Sequence, residues 1–286
     1  MKYQENVNLK KYNTYKINTM TKFMYEPENV EELKRILKNL RDTKIKYYIL
    51  GGGSNVIIPD ENFDGAIIKL KFENLEIKDD IAFVDAGYNL NSFIKKIIDD
   101  GYTNLTNLYG IPGTIGGAIR GNAGANGKEI FDDLVSVLVL QNDDVKLINA
   151  NTIEHSYRQT AFKNNNDIIL GGVFKLEKGD QKKAWEIVNE NLKKRKNSQP
   201  LEYPCAGSVF KNPEGLSAGK LIDECGLKKL RVGDAMISDM HANFIINLGN
   251  ATSSDIIKLI EIVKEKVKKE KDIDLELEQE IVKWWI

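Results

Sequence analysis

Tyr47-Tyr48-Ile49-Leu50-Gly51-Gly52-Gly53-Ser54-Asn55 carries a short apolar strand straight into three glycines and two small polar residues. Successive backbone N–H groups with no side chains in the way can form a nest for phosphate, and Ser54 and Asn55 add hydrogen-bonding groups. The glycines do not fall as G-x-G-x-x-G opening a helix, so this is not a Rossmann fingerprint. Taken alone, the stretch reads equally well as an ordinary glycine turn. A second element, Gly110-Ile111-Pro112-Gly113-Thr114-Ile115-Gly116-Gly117, lies in a glycine-dense, almost uncharged stretch from Leu108 to Gly127. A loop so rich in glycine costs conformational entropy to order, so it is usually disordered or tied down by a ligand. Ile111, Ile115, Ala118 and Ile119 argue against disorder, and the stretch reads as a ligand-clasping loop. Two phosphate-cradling loops in one half of a chain suit a dinucleotide with a pyrophosphate.

Outward from these loops the pattern is mixed α and β with short elements. Asn29-x-x-Glu32 resembles a capping box ahead of Val30, Leu33, Leu37 and Leu40 at helical spacing. Strands are expected over 66–70, 81–85, 134–140, 145–148 and 168–170, with a hairpin around Asn142-Asp143-Asp144. Helices are expected over 89–100, closed by Gly101, and over 180–196 with Trp185, Val188 and Leu192 on one face. Gln199-Pro200-Leu201-Glu202-Tyr203-Pro204 breaks the pattern and marks a domain boundary. Beyond it come a helix over 217–225 ended by Gly226 and a strand over 244–248. A long amphipathic helix follows over 252–271, with Ile256, Leu259, Ile260, Val263 and Val267 inward, and a final strand opens at Leu275-Glu276-Leu277-Glu278.

The 286 residues are 42% hydrophobic, enough for a substantial core, and carry 41 basic and 42 acidic side chains for a net charge of −1. That balance supplies no general field for nucleic acid or an anionic membrane. Cys205 and Cys225 make no disulfide scaffold and fit a reducing compartment. No run of about 18 apolar residues reads as a membrane span. The start has no apolar signal core. Two histidines and two cysteines, well separated, form no metal-ligand cluster. The expectation is a soluble cytoplasmic protein, a monomer or weak dimer, that acts on small molecules.

Several segments carry candidate chemistry. In Cys205-Ala206-Gly207-Ser208-Val209-Phe210-Lys211 a small-residue turn presents one hydroxyl, Ser208, a candidate proton donor or oxyanion partner. A plain Gly-Ser turn is the alternative. Arg158 stands in the polar segment His155-Ser156-Tyr157-Arg158-Gln159-Thr160. Arginine does not readily lose its proton, so any chemical role is to hold a carboxylate or a developing oxyanion. Glu278 and Glu280 lie on the same face of the final strand, since side chains alternate; a solvated acidic face is the alternative. His241 can bind substrate or cap a turn. Gly215-Leu216-Ser217-Ala218-Gly219-Lys220 mimics a Walker A loop, but its glycine spacing is one residue short and Leu221 replaces the required Ser or Thr. It reads as the start of a helix.

In their order these motifs resemble the UDP-N-acetylenolpyruvoylglucosamine reductase (UDP-N-acetylmuramate dehydrogenase) family over most of the chain, from Asn13-Thr14-Tyr15-Lys16-Ile17 to Leu277-Glu278-Gln279-Glu280-Ile281. The specific pieces are the two glycine loops, Asn122-Ala123-Gly124, Ser156-Tyr157-Arg158 and Ala206-Gly207-Ser208-Val209-Phe210-Lys211-Asn212-Pro213. Ala218-Gly219-Lys220-Leu221-Ile222-Asp223 and Ser238-Asp239-Met240-His241-Ala242-Asn243-Phe244 add to them. The short spacing from Arg158 to Ser208 resembles the subclass without an extra substrate-covering loop.

The resemblance implies an α+β fold. A two-subdomain FAD-binding module of the vanillyl-alcohol-oxidase type would occupy 1–71 and 72–198, and an α+β substrate-binding domain 199–281, with the tail 282–286 packing on the first subdomain. It implies FAD and NADPH as cofactors, and a two-stage reaction in peptidoglycan precursor synthesis. NADPH reduces the flavin and leaves; hydride then goes to the enolpyruvyl C3 while a protein acid protonates C2, giving UDP-N-acetylmuramate. By motif register Arg158, Ser208 and Glu280 are the catalytic residues. FAD contacts are implied at Tyr48, Leu50, Gly51, Gly52, Gly53, Ser54 and Asn55. In the second loop they are implied at Gly110, Ile111, Pro112, Gly113, Thr114, Gly116, Gly117, Asn122, Gly124 and Ala125. Substrate contacts are implied at Tyr157, Arg158, Lys211, Asn212, His241 and Asn243, and no metal. The chain departs from the family's pattern at Asn126, where an aromatic residue is usual, at Val282 in place of an arginine, and at its Trp284-Trp285-Ile286 end. Two other readings are another flavin oxidoreductase on the same module, and a nucleotide-binding module without redox chemistry. The motifs around Ser208 and His241 count against the first, and the Arg158, Ser208, Glu280 trio against the second.

Overall fold

A computed structural model describes residues 2–284. The chain forms two compact units, each assembled from separated segments. Among the described residues, unit 1 comprises 2–3, 24–52 and 67–193, and unit 2 comprises 4–23, 53–66 and 194–284.

Unit 1 is built on a five-stranded antiparallel sheet in the order Asp144–Asn149, Leu134–Gln141, Ile168–Lys175, Ile81–Asp85, Leu75–Lys78. Asn142 and Asp143 both take positive φ in the two-residue turn between the first two of these strands, the geometry that matches the right-handed twist of a hairpin. The central strand Ile168–Lys175 is buried along nearly its whole length, as a strand covered on both faces must be. Its Gly172 leaves room for the side chain of Ile119, which a Cβ there would meet at 2.8 Å. Four helices begin in this unit: α1 (Val30–Asp42), α2 (Leu90–Asp99), α3 (Ile115–Gly121) and α4 (Gln181–Ser198). Asn29 caps α1 by accepting from Glu32 N, but Glu32 reaches back to Glu28 N, one residue beyond the partner a capping box uses. In α2, Leu90, Phe93, Ile94, Ile97 and Ile98 are buried at helical spacing, with Phe93 against Phe174.

Two expectations are corrected in this unit. The stretch 108–127 is not all loop. It contains α3, capped by Thr114 and closed by Asn122 in the left-handed conformation, and then a hairpin of Gly124–Ala125 with Lys128–Glu129. Gly116, Gly117 and Gly121 hid the helix from a propensity reading; packing of Ile115, Ala118 and Ile119 overrides them. The buried face of α4 is Ala184, Val188 and Asn191, not Trp185, Val188 and Leu192. Leu192 is 38% exposed, and Trp185 stands edge-on to Tyr109 instead.

Unit 2 has a three-stranded antiparallel sheet, Arg231–Val232, Ala235–Ile237 and Ile245–Asn247. Its helices are α5 (Ala218–Glu224) and α6 (Ser253–Lys271). Ser217 caps α5, so the Walker-like stretch is a helix start, and Gly226 follows with positive φ. Thr252 and Asp255 close both halves of a capping box on α6, while Asp60 accepts from the Ser253 and Ser254 N–H groups. The expected stripe Ile256, Leu259, Ile260, Val263 and Val267 is buried, in one cluster with Tyr15, Ile57, Phe210, Ile222 and Ile237. Trp284 stacks on Phe63 at 4.3 Å and donates to Glu61 O. The last two residues of the tail, Trp285 and Ile286, lie outside the described residues.

The final strand is also corrected. Leu277 bridges Phe210, then the chain bends at Glu278-Gln279, and only Glu280–Ile281 pairs again, parallel to Val56–Ile57. Val209 O accepts from both Glu278 N (2.9 Å) and Gln279 N (3.4 Å), two successive residues opposing one. Regular alternation therefore does not put Glu278 and Glu280 on one face. No helix among the described residues is long and apolar enough to cross a membrane.

Candidate active site

The two glycine elements meet inside unit 1. A Cβ on Gly52 would lie 2.8 Å from Gly113 Cα, and one on Gly51 would lie 3.1 Å from Thr114 Oγ1. Backbone lies against backbone here because neither loop carries a side chain at the contact. The second loop is tied to the start of α2. Gly110 N donates to Asn91 Oδ1 (2.6 Å), Asn91 Nδ2 to Ile111 O (3.0 Å), and Leu90 N to Gly113 O (3.1 Å). Thr114 Oγ1 accepts from Gly117 N, and Gly116 N donates to Ala86 O. Leu50, buried, donates its N–H to Ile68 O, which fixes the strand entering the first loop; Tyr48 is half-buried just before it. Lys69 Nζ donates to Gly51 O at 2.7 Å, and burial, with Lys71 nearby, pulls its ammonium below the ordinary lysine range.

Below the second loop, a network gathers around Arg158. Tyr157 and Arg158 are the two-residue turn of the hairpin His155–Ser156 with Gln159–Thr160, and Arg158 takes φ +57°, a left-handed conformation uncommon for a long side chain. Its Nη1 donates to Asn122 O and to Glu129 Oε1, both at 3.3 Å, and its Nη2 donates to Gly124 O. Glu129 Oε2 accepts from Asn122 Nδ2 at 2.6 Å, and Asn122 Nδ2 also donates to Ser156 O. Asn122 is fully buried, and its Oδ1 has no hydrogen-bond partner among the described residues. Asn126-Gly127, both at positive φ, form the tight turn from Ala125 to Lys128. The departure at Asn126 thus has a local reason: an Asn-Gly pair is the preferred two-residue hairpin turn.

In unit 2, Ser208 follows Gly207, whose φ of +75° turns the chain. Ser208 is half-buried while Ala206, Val209 and Phe210 on either side are buried. Asn243 secures this segment: its Oδ1 accepts from Phe210 N (2.9 Å), its Nδ2 donates to Phe210 O (2.8 Å), and its own carbonyl accepts from Val209 N. Gln279 Nε2 donates to Ala206 O and Gly207 O, both at 3.1 Å. The end of the first glycine loop joins the same neighbourhood. Gly53, at φ +65°, lies so close to Tyr12 and Asn13 that a Cβ would collide with their backbone. Thr14 N donates to Gly53 O, Asn55 Nδ2 to Glu278 O (3.0 Å), and Glu280 N to Asn55 O (3.0 Å). Half-buried Glu280 is therefore held beside Asn55, and the Glu278-Gln279 bend beside Val209.

The substrate-side candidates divide. Both ends of the 3%-exposed Asn243 amide are engaged on Phe210, so this side chain fixes the Ser208 segment. Asn212 Oδ1 accepts from Ala218 N at the start of α5. Lys211 Nζ pairs with Glu276 at 2.5 Å. His241 lies under Gly219, where a Cβ would meet its ring at 3.0 Å, and its Nδ1 accepts from Asn243 N. Burial first, and then the charge of Lys228, hold this imidazole below its ordinary range, so it is the neutral Nε2–H tautomer that the contact needs. Tyr157 is exposed, with the Arg158 guanidinium 4.7 Å from its ring centre. Arg158 belongs to unit 1, and Ser208 and Glu280 to unit 2.

Comparison with known proteins bears on both units. Residues 21–150 match the family model described as FAD binding domain, and residues 199–282 match the one described as UDP-N-acetylenolpyruvoylglucosamine reductase, C-terminal domain. The chain is 41% identical over 281 residues to UDP-N-acetylenolpyruvoylglucosamine reductase of Carboxydothermus hydrogenoformans, covering 97% of this chain and 93% of that one. The chain belongs to the UDP-N-acetylenolpyruvoylglucosamine reductase family. The Clostridium tetani reductase is 37% identical over 276 residues, covering 96% of this chain and 90% of its own. The crystal structure of the Thermus caldophilus reductase superposes with a TM-score of 0.85 at 34% identity, covering 99% of this chain and all of that one.

With reductase family membership come an α+β fold with an FAD-binding module, an FAD-dependent oxidoreductase activity, and the reduction that yields UDP-N-acetylmuramate for peptidoglycan synthesis. Around the expected reductase residues stand others that the sequence reading did not single out: Lys69 on Gly51, Asn91 on the second loop, Glu129 on Arg158, and Tyr15 with Gln279 behind Ser208. Asn126-Gly127 was open to detection as a hairpin signal. Lys69, Asn91 and Glu129 carry no local pattern, because their role depends on segments far away in the sequence.

Proposed function

We propose that this reductase protonates its substrate through Ser208, with Arg158 and Glu280 stabilising the charge that develops, and that NADPH is its reductant. The carrying observation is the Ser208 turn, secured from one side by Asn243 and from the other by the segment leading into Glu280. We divide the chain at 71/72 and 198/199 into two cofactor subdomains and a substrate domain, a reading supported by the C-terminal family model beginning at 199.

The residues present fit FAD. The Gly52–Gly113 contact leaves two side-chain-free loops together, a cradle that a Cβ would fill. The Lys69 cation lies against Gly51, and the orphaned Asn122 Oδ1 is a buried acceptor that a ligand hydroxyl or N–H would satisfy. Gly51 to Asn55 and Gly110 to Gly117 would hold the pyrophosphate, and Asn122, Gly124 and Ala125 the remainder. When bound and reduced by NADPH, FAD would supply the hydride that adds to the enolpyruvyl C3.

Addition at C3 pushes an electron pair onto C2 and its carboxylate. Arg158 stabilises that charge: a guanidinium is always protonated, and its fork matches a carboxylate. Asn122 O, Gly124 O and Glu129 set the direction of the fork before substrate arrives. Ser208 donates a proton to C2. A serine hydroxyl is a weak acid in water, but the enolate-like carbon is a strong base and the turn fixes the geometry. Glu280 shares the proton or orients the enol. Lys211, His241 and Tyr157 serve the nucleotide-sugar, and Asn212 and Asn243 shape the loops that carry them. The reading is of a cytoplasmic enzyme, monomer or weak dimer.

The test compares Glu280→Gln with Glu278→Gln. Glu280→Gln is expected to lower turnover by about 10² or more, the scale of a lost proton-transfer group, and Glu278→Gln far less. The reverse order would place the functional carboxylate at Glu278.

A further inference from the structure

Behind the Ser208 turn lies a buried polar chain that the chemistry above does not use. Tyr15 is fully buried and Gln279 is 3% exposed. Tyr15 Oη lies 3.0 Å from Gln279 Oε1, and Gln279 Nε2 lies 3.1 Å from both Ala206 O and Gly207 O. The assignment of donors is unambiguous. Two carbonyls accept only, so the amide nitrogen must face them; the amide oxygen then faces Tyr15, which must donate. Burial raises the Tyr15 phenol above its ordinary range, which keeps that proton in place. Both carbonyls that Gln279 holds flank Gly207, whose N–H bonds to the Cys205 sulfur. A Cβ at Gly207 would meet open space, so packing adds no restraint there, and its φ of +75° is one that glycine holds without strain.

We propose that Gln279, oriented by Tyr15, is a positioning residue that sets the Gly207-Ser208 peptide for proton delivery. The inference rests on Ser208 as the proton donor. Gln279 takes no part in the proton transfer itself. It acts by holding two successive carbonyls, which fixes the rotation of the peptide from which Ser208 projects. The two carbonyls set which way the amide faces, since a flipped amide would bring its oxygen against them, and Tyr15 anchors the amide by donating to its oxygen. An amide is required: a carboxylate offers no donor, and an apolar residue withdraws the donor from both the buried Ala206 carbonyl and the half-buried Gly207 carbonyl.

Stopped-flow absorbance on the FAD-loaded enzyme separates this role from simple stabilisation. In Gln279→Met, reduction by NADPH is expected to stay within about twofold of wild type. Reoxidation by the enolpyruvyl substrate is expected to slow at least about tenfold, with a larger solvent deuterium isotope effect, the scale of a misplaced reacting group. Tyr15→Phe, which keeps the core filled, is expected to show the same pattern more weakly and provides the test if Gln279→Met does not fold. In a Ser208→Ala background either substitution is expected to add less than about twofold, because there is no hydroxyl left to position. Equal slowing with and without Ser208, or unchanged reoxidation in both variants, would overturn the positioning role. If Ser208→Ala itself leaves reoxidation unchanged, the proton-donor reading fails and this inference with it, a result distinct from failure of the clasp alone.

Discussion

Arg158, proposed here as a catalytic residue, shows how much of a side chain's behaviour is set by groups that no sequence motif announces. Its place in Ser156-Tyr157-Arg158 was legible, and its residue type restricts it to anion recognition. The structure adds a left-handed backbone at the tip of a hairpin, with the guanidinium held by Asn122 O, Gly124 O and Glu129. Those partners lie 29 to 36 residues away in sequence, beyond any local pattern. A fork so constrained is replaced poorly by a point charge. Arg158→Lys is expected to lower kcat by roughly 10² or more, the scale of a lost oxyanion donor, with flavin content unchanged. Steady-state kinetics with the flavin spectrum as a control reads this out, and full turnover in the lysine variant would show that a directed fork is not needed. Ser208 was legible in the same way, as a hydroxyl after a glycine, whereas the two clasps on its turn, Asn243 and Gln279, were not.

At the scale of elements, the long helix α6, the hairpin at Asn142-Asp143 and the glycine-ended helices α2 and α5 followed from spacing and caps. The failures share a cause. α3 contains three glycines and is stabilised by packing, including Ile119 against Gly172 of the sheet, so propensity pointed the wrong way. The bend at Glu278-Gln279 arises where two residues oppose Val209, and nothing in Leu-Glu-Leu-Glu-Gln-Glu signals it. In sequence the two glycine elements stand as separate phosphate loops; the fold brings Gly52 against Gly113. Gly52→Ala would set a methyl 2.8 Å from Gly113 Cα, backbone that α2 holds through Asn91 and Leu90. The loops must then separate. The expected outcome is at least about tenfold weaker FAD binding, measured by titrating the apoprotein, since each 1.4 kcal/mol of lost fit is a factor of ten. Unchanged affinity would remove the Gly52–Gly113 contact from the cofactor site.

At the scale of the whole molecule, the order of motifs gave the family and the α+β class, because each motif marks a place where backbone or chemistry restricts residue choice. The boundary near 194 was signalled by the Pro-containing stretch 199–204, but the return of residues 4–23 and 53–66 to the same unit had no comparable signal, because it depends on contacts far apart in the sequence. Interleaving has a chemical consequence within unit 2. Asn55, at the end of the first glycine loop, is hydrogen-bonded to the segment carrying Glu280, and that segment is bonded to the turn carrying Ser208. Asn55 and the turn carrying Ser208 are thus tied to one and the same segment of backbone, 278–280. The most direct measurement is stopped-flow absorbance of Ser208→Ala with FAD bound, first mixed with NADPH and then with the enolpyruvyl nucleotide-sugar. Reduction should proceed as in wild type, and reoxidation should slow by about 10² or more; reoxidation at the wild-type rate would contradict the assignment of the proton to Ser208.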